Sequence, residues 1–241
     1  ARRLLDAENH LPLKGISNIN HLMEKLEKGI ILGPSELVAI SDFLRGCRMI
    51  KKFMLGKEFF APILHSYAYS MMEFTMIEEM INASIRGNIV DSEASRELKR
   101  IRNQIVKTEE KIEERLNKFL KSSANKEYIQ EFFISKKDDR FTIPIKASYK
   151  NQVQGTIIDS SSKGSTVFIE PATITKFNGD LAILKSEESI EEYQILATIS
   201  GMIQEENRQI LINIELIAQY DMIFAKAKFS KSIDGIEPKL N

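Results

Sequence analysis

Between Lys121 and Lys163 the chain holds eight basic residues (Lys121, Lys126, Lys136, Lys137, Arg140, Lys146, Lys150, Lys163) against five acidic ones (Glu127, Glu131, Asp138, Asp139, Asp159). Over the whole sequence 34 basic residues balance 34 acidic ones, so this excess is local. Arg140, Lys150 and Lys163 fall in or beside turns, and Ser160-Ser161-Ser162-Lys163-Gly164-Ser165 adds hydroxyls and a pliant backbone. Cations, hydroxyls and loop N–H groups together suit phosphate oxygens, which are contacted without reading bases. Arg140, Lys146, Lys150, Ser161 and Lys163 are therefore the candidate nucleic-acid-binding residues. A solvated turn with ordinary lysines has the same composition, so the excess alone leaves both readings open.

Little else in the sequence points to chemistry. The pair Gly56-Lys57 is followed by Glu58, which does not complete a G-x-x-x-x-G-K-[ST] phosphate loop. His-Glu-x-x-His, Cys-x-x-Cys and the G-x-S-x-G serine elbow are all absent. His10, His21 and His65 lack metal-ligand spacing, and a single cysteine, Cys47, allows no disulfide framework. No catalytic, cofactor-binding or metal-binding residue is expected, and the chain is read as a non-enzyme. The neutral total argues against a uniformly basic binder. The single cysteine makes a reducing, cytoplasmic setting the expectation, and since no apolar run approaches the roughly 18 residues of a membrane helix, no membrane partner is expected. The opening Ala1-Arg2-Arg3-Leu4-Leu5-Asp6 is neither a start methionine nor a signal peptide, which suggests a piece of something longer.

The elements that must position the candidate residues are a small sheet between two helical patterns. Phe132–Lys136, Phe141–Ala147, Val153–Ile158 and Ser165–Glu170 read as four short strands separated by turn formers. Phe141, Ile143, Ile145 and Ala147 alternate with polar residues or proline, the period of a strand with one buried face. Pro144 cannot donate to a ladder, so its strand should have an edge side there. An antiparallel meander is expected, too thin to stand without helical neighbours.

Before the sheet, helices are expected over Ser17–Lys28, from Pro34 to a stop at Gly56, and from Pro62 to Asn82. The cluster Met71, Met72, Met76 and Met80 reads as adaptable core packing. A turn at Arg86-Gly87-Asn88 and a cap at Asp91 then lead into a charged helix reaching Lys121. Its seam is Leu98, Ile105, Ile112 and Phe119, seven apart, and its length is on the order of 45 Å. After Pro171 a second seam runs through Leu196, Ile203, Ile210, Ile217 and Phe224, with Ile183, Ile190 and Ala197 as an earlier, offset phase. The two seams are expected to pair along the middle of each arm, while for the last two turns ordinary amphipathic packing in a helical bundle is an equal alternative. The fold class is mainly α, a helical core with two long antiparallel lever helices and a small inserted antiparallel β clamp. The expected division is 1–90 helical core, 91–131 outgoing lever, 132–171 clamp, 172–230 returning lever and core helix, and 231–241 linker.

Three stretches carry a family resemblance: Arg140-Phe-Thr-Ile-Pro-Ile-Lys-Ala147, Gly155-Thr-Ile-Ile-Asp-Ser-Ser-Ser-Lys-Gly-Ser-Thr-Val-Phe-Ile-Glu-Pro171, and Tyr220-Asp-Met-Ile-Phe-Ala-Lys-Ala-Lys228. They resemble the lever and clamp region of the MutS family, specifically the bacterial MutS-two branch, over nearly the whole chain. The resemblance implies a parent protein that is a dimeric ATPase using ATP and Mg, with a Smr nuclease domain, both activities lying beyond this region. It implies a clamp on DNA or ribosomal RNA, in suppressing recombination or rescuing collided ribosomes. A coiled-coil dimerisation or partner-docking module without nucleic-acid contact is the rival reading. Phe168-Ile169-Glu170 has the Phe-x-Glu form that mismatch readers stack on a base, but it lies in an alternating strand, where coincidence explains it better. Asp139 stands where the family has a turn glycine, so a looser or differently turned first hairpin is expected.

Overall fold

The computed structural model describes residues 1–7 and 16–235; His10 and the end of the expected 231–241 linker lie outside them. The fold is mainly α, with eight α-helices and two small antiparallel sheets among the described residues. Two compact units divide it: Ala1–Ala94 with Tyr193–Asn241, and Ser95–Glu192.

The first unit is helical. α1 (Arg2–Ala7), α2 (Asn20–Glu27) and α3 (Pro34–Met54) open it, with Gly29 and Gly56 at positive φ just past the ends of α2 and α3. Pro34 stands in the first turn of α3, and Glu36 caps that end by accepting the Gly33 N–H (2.9 Å) while pairing with Lys25 (2.5 Å). Cys47 is buried, and desolvation pushes its thiol pKa up to about 12. Its thiolate population at neutral pH is then negligible. A thiol-reactive probe is accordingly expected to label Cys47 only at the rate of unfolding; fast labelling of the native chain would contradict that burial.

The sequence pattern suggests one helix over Pro62–Asn82, but the structure has two, α4 (Pro62–Ser70) and α5 (Thr75–Ser84). The intervening backbone is satisfied from elsewhere. Asn213 accepts the Met72 N–H with Oδ1 (3.0 Å) and donates Nδ2 to Met72 O (2.8 Å), while Lys51 donates to Met71 O (2.8 Å). An internal helix hydrogen bond is replaced by a side-chain rung, so the break leaves these groups paired. Of the four methionines, Met71 is buried, but Met72, Met76 and Met80 are exposed, so the cluster is not core packing as a whole. α5 leads into a hairpin of β1 (Ile85–Arg86) and β2 (Ile89–Val90), closing the expected turn.

The second unit contains α6 (Arg96–Lys121), the first turns of α7 (Thr175–Glu205), and the four-stranded sheet. α6 starts at Arg96 rather than near Asp91, because Ser95 Oγ accepts the Leu98 N–H (2.9 Å). α6 and α7 run antiparallel here. Arg102 pairs with Glu188 (2.7 Å) and Glu192, Ser95 Oγ meets Glu191 Oε1 (2.7 Å), and Arg115 lies over the Phe177 ring (4.7 Å). Leu98, Ile101, Ile105, Ile112 and Leu116 are buried as the outgoing seam requires; Phe119 is half-buried.

The return seam differs from expectation. Ile203, Ile210, Ile217 and Phe224, in α7 and α8 (Asn207–Ser232), are buried in the first unit, whereas the α6 seam belongs to the second. Ile183 and Ile190 are exposed, and the inward phase, which starts at Ile174 just before α7, is instead Asn178 and Leu181, then the ion-paired Glu188 and Glu192. A seven-residue interval in apolar residues reports a stripe; it does not report which surface covers it.

The sheet comprises β3 (Ser135–Lys137), β4 (Arg140–Lys146), β5 (Gly155–Ser160) and β6 (Thr166–Pro171), in the order β3-β4-β6-β5, which is not a meander. The reason lies in connection length. Residues 147–154 separate β4 from β5, too long a loop for a tight hairpin, so the chain crosses to the far edge and returns through a short turn as β6. Burial agrees: β6 is almost wholly covered, β5 mostly exposed. Pro144 accepts the Gln130 N–H (3.0 Å) on the side of β4 away from β6, where an isolated Ile129–Ile145 bridge stands in for a full strand. The first hairpin is tight rather than loose. Asp138 and Asp139 both take left-handed φ (47° and 59°) between the paired Lys137 and Arg140, as a two-residue primed turn demands.

Candidate nucleic-acid interface

β4 delivers Lys146 to one end of the sheet. The register Lys146↔Thr166 sets that end beside the start of β6, and Ala147 N–H donates to Ser165 O (2.9 Å). Lys146, the turn after it and the 161–165 loop therefore meet. Lys146 donates to Glu127 O (2.9 Å) and lies 6.0 Å from the Tyr149 ring centre. Tyr149 in turn donates its hydroxyl to Glu127 Oε1 (2.6 Å), and that hydrogen bond to a carboxylate raises the phenol pKa. Lys150 and Lys163 are exposed. Ser161 is half-buried; its Oγ accepts the Thr166 N–H (3.1 Å) and its own N–H donates to Thr166 O (2.9 Å). Ser161 thus shapes the loop that presents Lys163, with its hydroxyl proton still free to reach an outside acceptor.

Arg140 stands at the opposite end of β4, about 20 Å away at the rise of a strand. Its guanidinium is held by Glu170, Nη1 to Oε2 at 2.5 Å, and Glu170 is buried. The same Oε2 accepts from Asn178 Nδ2 (2.7 Å). Asn178 also accepts the Phe141 N–H with Oδ1 (3.1 Å) and donates to Phe141 O (3.1 Å). The register places Pro171, which has no N–H, where β6 would next oppose Phe141; the Asn178 amide supplies the missing rung. Of the five candidates, then, four are gathered at one end and Arg140 is built into a buried polar anchor at the other.

Glu170 and Asn178 were not among the candidates. The legible signal was a polar residue on a buried phase: Asn178 falls between Ile174 and Leu181, as Asn213 falls between Ile210 and Ile217. Phe168, the other end of the Phe-x-Glu coincidence, has a place as well: Lys137 lies over its ring (4.2 Å) and pairs with Asp159 (3.3 Å).

Among the described residues no cluster of histidine, cysteine or carboxylates could hold a metal, and no helix is long and apolar enough to cross a membrane. An antiparallel helix pair carrying a small sheet with lysine-bearing loops at one end defines a helical protein with an inserted β clamp. No family model matches the chain. Its whole length is similar to the endonuclease MutS2 of Halothermothrix orenii (34% identity, 32% of that protein covered) and of Clostridioides difficile (34%, 31% covered). That of Alkaliphilus metalliredigens is 33% identical, with 31% covered. The chain belongs to the MutS2 family and spans about a third of the length of these relatives.

Proposed function

We propose that the sheet-bearing unit grips the phosphate backbone of a DNA duplex or ribosomal RNA without reading sequence, through Lys146, Lys150, Ser161 and Lys163. The observation that supports it is their convergence at one end of the sheet, from a strand end and two loops, in a chain with no net charge. Arg140 contributes indirectly: paired with Glu170, it fixes the other end of β4. The relatives' name, endonuclease, describes an enzyme acting on nucleic acid, and a clamp belongs to such a protein. In the longer protein, a homodimer in the cytoplasm, the ATP- and Mg-dependent chemistry and the nuclease chemistry fall to parts other than this chain. The clamp serves them by holding the nucleic acid, in restraining recombination or in rescuing ribosomes.

Each lysine–phosphate contact releases condensed counterion and contributes about 0.9 to the slope of log affinity against log salt. Lys150→Gln with Lys163→Gln is expected to lower that slope by about 1.8. The loss should be the same on unrelated duplexes, because phosphates carry no sequence information. Stability should stay within about 0.5 kcal/mol, since both side chains are exposed. Unchanged affinity and slope in the double variant would move the interface elsewhere and favour a docking module.

A further inference from the structure

α6 carries nine basic residues against five acidic ones, in a chain where the two balance overall. They are not spread evenly. Arg96, Arg100, Lys107, Lys111 and Lys118 recur at intervals of four and seven residues, which keeps them on one side of a helix of 3.6 residues per turn. All five are exposed, and they lie away from the buried Leu98, Ile101, Ile105, Ile112 and Leu116. Glu109 and Glu113 project from another side of the helix, Glu109 to pair with Lys136 (3.1 Å), while Glu97, Glu110 and Glu114 fall within or beside the row, which sets three carboxylates against its five cations on that side. Within the row, Arg100 is held by Glu97 (2.5 Å) and Lys118 by Glu114 (2.7 Å), while no ion pair among the described residues engages Arg96, Lys107 or Lys111. Lys107 and Lys111 line a groove of about 390 Å³ with Gln104 and Thr108, against Asp180, Ile183 and Leu184 of α7. Asp180 is the one carboxylate there, so the groove stays net positive.

We propose that this row is a second phosphate track, which lets nucleic acid lie along α6 as well as across the sheet end. From Arg96 to Lys118 it extends about 33 Å at 1.5 Å per residue. A duplex carries one charge per about 1.7 Å of axis with both strands counted, so about 33 Å of it holds on the order of twenty phosphates, and the row meets the side of an anionic polymer rather than a single ion. Row and sheet end belong to the same compact unit, Ser95–Glu192. The inference rests on the reading that the chain holds nucleic acid, but it depends on different residues and can fail separately.

The test compares two double variants of the chain on one duplex of about 30 base pairs, by fluorescence anisotropy across salt between about 50 and 200 mM. Lys107→Gln with Lys111→Gln is expected to lower the salt slope by about 1.8, which is about 12-fold less change in affinity across that range. The circular-dichroism melt should not shift, and Lys107→Arg with Lys111→Arg should restore the slope. If the α6 variant binds like the parent while Lys150→Gln with Lys163→Gln is weakened, the track is refuted and the sheet-end interface stands. If neither variant weakens, both are refuted. If only the α6 variant weakens, the track stands and the sheet-end assignment falls.

Discussion

Asn178→Ala is expected to destabilise the sheet-bearing unit by about 3–4 kcal/mol, although the residue touches no ligand. The truncation removes three hydrogen bonds and strands two of their partners in the interior, the Phe141 N–H and C=O. A net hydrogen bond is worth about 1 kcal/mol, but a buried group left unmade costs about 1–3 kcal/mol, and that second term dominates here. Asn178→Asp should do no better: its carboxylate can accept from Phe141, yet it places a second negative charge against Glu170 Oε2. Urea unfolding gives the energy, and hydrogen exchange gives the place. The Phe141 amide should lose its protection in Asn178→Ala, while amides around Asn213 in the first unit keep theirs. A loss under about 1 kcal/mol with Phe141 still protected would mean that the rung is dispensable.

Gly155→Ala is the second large effect. Gly155 opposes Pro171 in the β5–β6 pair, and a Cβ there would run into the backbone carbonyl of Glu170 and into Ile169 Cγ2. Backbone cannot rotate aside as a flexible side chain does, so β5 must shift outward. The expected cost is about 3 kcal/mol, the upper end of overpacking losses. Because β5 is an edge strand, local unpairing of its first residues is expected before global unfolding. Melting at the parent temperature would show that the strands tolerate the side chain.

Much of this fold could be read from residue types. Pro34, Gly29 and Gly56 marked helix ends because their backbone preferences are local, and the alternation from Phe141 to Ala147 located β4 to within a residue. Strand order was not legible, since alternation says that Val167 and Ile169 face a core without saying which strand lies beside them. The seam of α7 and α8 is real, but its period does not name the surface that covers it. Ile203 and Ile105 share a periodicity but not a compact unit. The candidate site is legible as composition only: charge alone singles out Lys146, and charge with turn position singles out Lys150 and Lys163. Arg140 looked the same in sequence and differs only because a buried carboxylate, 30 residues on, takes its guanidinium. Asn178 and Asn213 were the missed residues, each a poor helix former set on an apolar phase, where burial had to be compensated by hydrogen bonds.

The most direct measurement is equilibrium binding of the parent chain to two duplexes of unrelated sequence, followed across salt. Three sheet-end lysines predict a slope of at least about 2.7, rising to about 4.5 if Lys107 and Lys111 also reach phosphates, and equal affinities for the two sequences at every salt. A slope near zero, or an affinity that follows the sequence, would contradict a phosphate clamp.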